Sequence, residues 1–278
     1  MRIHAALVVS LLALALAHGA AAGPFTEPGH SPAEMAAWAT SVDEFTAGPV
    51  DIAQPSLGFA SFGTPSLALG PSLTGGTVGS SDVVSLGDGG SITLKFVEGI
   101  ADGIGNDFAV FENGFVDQGS GLLFGEFAFV EVSTDGVDFA RFASTSLQAT
   151  PVGTFDVVDP TDYHNLAGDQ LIGFGTGFDL HDLVNHPLVL SAILELTNVR
   201  FVRIIDVIGD GSTLDQFGDP IYDPYATAFA SGGFDAEAVG ILNTVPEPRS
   251  AQSLIVGIGA LALLARRRER RNPCVPVG

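Results

Sequence analysis

Glu126-Phe-Ala-Phe-Val-Glu-Val-Ser133 and Asp138-Phe-Ala-Arg-Phe-Ala143 flank Thr134-Asp-Gly-Val137. The outer segments are short, rich in Phe and Val, and read as strands. Asp-Gly between two strand patterns signals a hairpin, because the turn needs residues that tolerate positive φ. Other segments follow the same pattern. Ser91-Ile-Thr-Leu-Lys-Phe-Val97 alternates, Asp107-Phe-Ala-Val-Phe-Glu112 reads as a buried strand, and Phe201-Val-Arg-Ile-Ile-Asp-Val207 and Ala236-Glu-Ala-Val-Gly-Ile-Leu242 follow. Glu34 to Phe45 is the one stretch that reads as a short helix, and residues 50–81 read as a wandering Gly/Pro/Ser-rich loop. Short strands separated by long Gly-rich, acidic loops predict an all-β protein, a β-sandwich of jelly-roll type.

The two ends are of a different kind. Met1 to Gly23 has a polar start, an apolar run from Ala5 to Ala17 and the small residues Ala20-Ala21-Ala22. That order predicts a secretory signal peptide, with an N-terminal membrane anchor as the alternative. Near the other end, Val245-Pro246-Glu247-Pro248 precedes the apolar run Leu254 to Ala265 and the cluster Arg266, Arg267, Arg268, Arg270 and Arg271. The run has 12 residues, or 16 counted from Ser250, against about 20 for a full span. The arginines would orient it with its C-terminal end in the cytoplasm.

Between the ends, residues 24–243 form the body. It carries four basic residues, Lys95, Arg141, Arg200 and Arg203, against 30 acids, a formal charge of −26. Such acidity excludes a phosphate-tracking nucleic-acid binder. The sole cysteine, Cys274, lies outside the body, so the body has no disulfide and no thiolate chemistry. Residues 244–271 form the sorting segment, and 272–278 are a tail.

Motif, apolar segment and arginine cluster together resemble the PEP-CTERM sorting signal of bacterial surface and exopolysaccharide-associated proteins, over about 27 residues. The resemblance implies export, transient retention in the inner membrane, and processing by an exosortase near Val245 to Pro248. Val130-Glu-Val-Ser-Thr-Asp-Gly136 is similar to a hairpin common in galactose-binding-like and discoidin-like sandwiches. The wider pattern over residues 83–243, including Asp107-Phe-Ala-Val-Phe-Glu-Asn-Gly114 and Gly232-Gly-Phe-Asp-Ala-Glu-Ala-Val-Gly240, resembles uncharacterised bacterial cell-surface proteins and implies no activity.

Chemistry is sought first in the acids. Asp206, Asp210, Asp215, Asp219 and Asp223 crowd one stretch with no Lys or Arg among them. Like charges this close must be solvated or neutralised. Calcium, which takes 6–8 oxygen ligands, is the candidate cofactor. Asp102, Asn106 and Asp107, around Gly103 and Gly105, form a second candidate set. Solvated surface acids are the competing reading of both. Tyr222 and Tyr225, in a Pro/Asp-rich loop, are candidate glycan contacts, whereas alternating Phe residues such as Phe115, Phe124, Phe127 and Phe129 read as core. His164, His181 and His186 fit no paired zinc spacing. Arg200 and Arg203 read as salt-bridge partners. The functional expectation is a surface or matrix protein with a binding or structural role in the cell envelope or its polysaccharide. The alternative is a glycan-acting hydrolase using a carboxylate pair drawn from Glu112, Glu126 and Glu131.

Overall fold

The computed structural model describes residues 23–72 and 82–245. Residues 1–22 of the expected signal peptide, Pro246 to Pro248, the apolar segment, the arginine cluster and the tail lie outside the described residues. Among the described residues no helix is long and apolar enough to cross a membrane.

Nine strands build two antiparallel sheets: β1 (Ala37–Trp38), β2 (Ser41–Thr46), β3 (Ser91–Ile100), β4 (Phe108–Phe111), β5 (Ala128–Ser133), β6 (Ala140–Arg141), β7 (Gly175–Phe178), β8 (Val199–Asp206) and β9 (Ala238–Ile241). One sheet has the order β2-β3-β8-β5-β6 and the other β1-β9-β4-β7. The chain is a β-sandwich.

Strand alternation explains the core. Side chains point to opposite faces with a period of two. Ile92 and Leu94 of β3, Val202 and Ile204 of β8, and Val130 and Val132 of β5 sit in register and turn the same way. They meet Phe108, Val110, Phe178, Val239 and Ile241 from the facing sheet in one buried cluster. Phe108 stacks on Phe178 at 5.4 Å, and Phe142 meets both at a 58° tilt, with centroids 5.0 and 5.9 Å away. Each such ring, fully buried, contributes roughly 1.5–3 kcal/mol.

The outward face of the five-stranded sheet holds most of the body's positive charge. Glu131 accepts from Arg141 Nε at 2.8 Å and from Arg203 Nε at 2.7 Å. Arg203 lies 3.9 Å over the Phe139 ring and Arg141 lies 4.2 Å over Phe129. The salt-bridge role expected of Arg203 is therefore present. A smaller cluster of Phe127, Phe129, Val152, Val158, Tyr163, Leu166, Val207 and Ile221 packs under the long loops.

The Asp-Gly hairpin forms as read: Glu131 faces Arg141 and Val132 faces Ala140. Gly136 takes φ +80°, and Asp135 Oδ1 accepts from the amides of Val137 at 2.8 Å and Asp138 at 3.0 Å. Residues 34–45 depart from the expected helix. They form β1 and β2, preceded only by a single turn at Pro32–Glu34. A lone helix of this length is marginal in water, whereas Val42 and Phe45 gain a sheet edge opposite Leu94 and Ile92. The acidic stretch after β8 is likewise not all loop. Asp210–Leu214 and Pro220–Tyr222 pair as a ribbon, Asp210 facing Tyr222.

Candidate functional site

Strand pairing creates the first site. Phe108 at the start of β4 faces Phe178 at the end of β7. Asp107 and Asp179 therefore emerge side by side at one end of the sheet, where the loop after β3 brings in Asp102. One carboxylate oxygen from each lies within 4.8 Å of the others, the only such group of three among the described residues. That is the width of a calcium coordination sphere, with Ca–O near 2.4 Å. These three residues could hold a metal ion.

Asp107 is fully buried, and that burial raises its pKa. The opposing effects are hydrogen bonds from Asn243 Nδ2 at 2.8 Å, the Leu180 amide at 2.8 Å and the Gly103 amide at 2.7 Å. Asp179 accepts from the His181 amide at 2.8 Å, and His181 Nδ1 stands 3.6 Å from Asp102. Asn106 turns elsewhere: its side chain meets His30 Nε2 at 2.9 Å. Asp179 escapes the sequence reading because it stands 72 positions from Asp107 and looks like an ordinary turn-capping residue. The signal that could have found it is the pairing of the two Phe-ended strands.

Asp179 also borders a polar cleft of about 700 Å³, lined by His30, Asn106, His164, Asn165, Asp169 and Asp182 among others. Phe25 stacks on His164 at 5.0 Å. Burial raises Asp169 to about 6, against a hydrogen bond from Thr176 Oγ1 at 2.5 Å.

The five aspartates of 206–223 are not brought together. Asp210 is exposed and accepts from the Ser212 amide at 2.8 Å. Asp215 is buried and ties a turn, accepting from Phe217 at 2.8 Å, Asp219 at 3.0 Å and Ser146 at 3.1 Å. Asp219 is an exposed member of that turn. Asp206 and Asp223 converge, and exposed Asp210 stands near enough for its charge to raise Asp223 and Asp88. The first two line a small pocket with Asp88, Glu126, Tyr225 and Thr227. Burial pushes Asp206, Asp223 and Glu126 well above the usual carboxylate range. Tyr225 donates from its hydroxyl to Asp51 at 3.1 Å, and Tyr222 packs half-buried against the smaller core cluster, its carbonyl accepting from Tyr163 at 2.6 Å.

Exposed rings lie elsewhere. A groove of about 1050 Å³ is lined by Phe115, Phe124 and Phe155 with Asp117, Gln118, Gln148 and Asp156. Phe115 and Phe124 stack at 4.9 Å, and Phe155 is 76% exposed while stacking on Phe229 at 5.9 Å. Phe127 and Phe129 are core as expected, but Phe115 and Phe124 instead form a two-stranded flap, Phe115–Val116 against Leu123–Phe124. Of the glutamates considered as a hydrolytic pair, Glu131 is held by two arginines on the outer sheet face. Glu112 is buried and accepts from the Gly114 amide at 2.5 Å.

No family model matches this chain, and no curated protein matches it.

Proposed function

We propose that this chain is an exported module of the bacterial cell surface that binds neutral polysaccharide in the Phe115–Phe155 groove, with calcium at Asp102, Asp107 and Asp179 stiffening the loops at the far end of β4 and β7. The observation that carries this reading is the groove itself. A sugar ring has an apolar C–H face and a rim of hydroxyls. Exposed aromatic faces with amides and carboxylates set around them match both. A body at −26 repels polyanions, which favours an uncharged chain. Export and surface sorting rest on the leader and on the Val245–Arg271 signal, through which the chain would meet an exosortase and, transiently, the membrane.

Titrating neutral oligosaccharides into the purified body tests it. Phe155→Ala should weaken binding about 5–10-fold, the loss of roughly 1–1.4 kcal/mol of ring contact. At 76% exposure the substitution leaves the core alone. Binding unchanged by Phe155→Ala would refute the groove. For the metal, Asp179→Asn should abolish one calcium site, and an unaltered calcium isotherm would refute the triad.

A further inference from the structure

The polar cleft beside Asp179 has no part in the groove. At about 700 Å³ it has the size of a pocket for a small organic molecule, far larger than an ion needs. β7 supplies Thr176 and Gly177 to it. Gly177 makes room for two side chains, since a Cβ there would lie 2.0 Å from Asn106 Nδ2 and 2.8 Å from His30 Nε2. Those two hold each other: His30 Nε2 accepts from Asn106 Nδ2 at 2.9 Å, and His30 Nδ1 donates to Glu34 at 3.0 Å. His164 also lines the cleft, with Phe25 stacked behind its ring. Leu242 and the fully exposed Ile104 add apolar surface.

The polar groups of the cleft are held before any ligand arrives. Asn165 Nδ2 donates to Asp182 Oδ2 at 3.2 Å and to the Ala143 carbonyl at 3.3 Å. Thr176 donates to Asp169, and Asn243 Nδ2 donates to the Asn106 carbonyl at 3.3 Å. Groups fixed in this way spare a ligand the cost of ordering them. The charge has one sign: Glu27, Asp169, Asp179 and Asp182 line the cleft, and no Lys or Arg among the described residues does. Burial holds Asp169 up to about 6, a cost that an adjacent cation offsets. That cation is not a metal ion. Among the described residues only Asp102, Asp107 and Asp179 gather three ligand atoms, so His30, His164, Asp169 and Asp182 are spread around the space rather than closed on a point.

We propose that this cleft binds an amino sugar, one pyranose ring carrying a protonated amine. The ammonium takes the acidic side, the hydroxyls pair with the amides of Asn106 and Asn165, and the C–H face of the ring meets the His164 imidazole or Ile104. Such a ligand satisfies the charge, the amides and the apolar surface together, whereas a bare cation satisfies only the first. The site stands apart from the groove, which takes uncharged chains, and shares only Asp179 with the triad.

Titration of glucosamine into the isotope-labelled exported protein, followed by NMR in metal-free buffer, tests it. Glucose, N-acetylglucosamine and methylamine run in parallel, with NaCl balancing ionic strength. Glucosamine should shift the Gly105 and Gly177 amides and the Asn165 side-chain amide, and should bind more tightly than each comparison probe. Asp182→Asn and Glu27→Gln, both at exposed positions, should each weaken glucosamine by about two- to fivefold and leave glucose unchanged. Phe155→Ala should leave glucosamine binding intact, so failure of the groove and failure of the cleft are told apart. Methylamine binding as tightly as glucosamine would overturn the sugar. Glucose or N-acetylglucosamine doing so would overturn the role of the amine. Shifts that are absent, or confined to the Phe155 groove, would overturn the cleft itself.

Discussion

Freed of calcium by a chelator, the body should become more stable as pH falls from about 7.5 to about 5, the reverse of ordinary acid denaturation. Asp169 and Asp235 are both raised to about 6, chiefly by burial. The folded state then holds protons that the unfolded chain, with carboxyls at their usual 3.8, has released. Stability from such groups is complete below 3.8 and is lost as pH rises through 6. For one group, the binding polynomials at the two pH values differ by about 1.4 kcal/mol, and two give about 3 kcal/mol. For a domain of this size that is roughly 6–12 °C in Tm. Glu112, Glu126, Asp206 and Asp223 are also raised by burial and add in the same sense. Glu34, held at about 2 by Ser31 and His30, works oppositely, but it is exposed and acts mainly below pH 4.5. Calorimetry in chelator across this range is the assay. A Tm in chelator that falls steadily from about pH 7.5 to about 5 would refute the reasoning.

Three further outcomes are expected. Glu131→Ala should destabilise the body by about 2 kcal/mol in urea melts, since two arginines lose their charge-assisted partner. Gly209→Ala should cost about 2 kcal/mol or more in urea melts, because its Cβ would collide with Asp223 Oδ1 and stand 2.8 Å from the Asp223 carbonyl oxygen. Intact-mass measurement of the surface-released protein should find a C-terminus near Val245 to Pro248; material ending at Gly278 would contradict processing, and neutralising Arg266 to Arg271 should impair membrane orientation.

The strands are legible in the sequence because a two-residue period survives without knowledge of neighbours. Ile92, Leu94 and Phe96 alternate in sequence and fill one face in space. The Asp135-Gly136 turn is legible for a similar reason, its backbone demand being local. Residues 34–45 mislead because a short amphipathic segment is decided by what it packs on, here the β3 edge and Phe111. The acids show the same boundary. Asp102 and Asp107 are near in sequence and near in space, while their partner Asp179 arrives through a strand pairing. Conversely, Asp215 and Asp219 adjoin Asp206 in sequence, but the turn of the ribbon ties them to one another, and Asp210 stays exposed at the pocket's edge. Glu126, 80 residues from Asp206, replaces them there.

The sheet margins bear on life at high local concentration. A naked strand edge invites another chain to continue the ladder. Here β1 and β6 are two residues long, too brief to template a partner, and β7 has four, with Gly175 already bridged to His30. The one longer margin, β2, has an irregular register between Val42 and Glu44 and presents Asp43 and Glu44 outward. A copy approaching along any of these margins meets a short ladder, an occupied one or repulsion, so the sheet edges resist growth into fibres at high concentration.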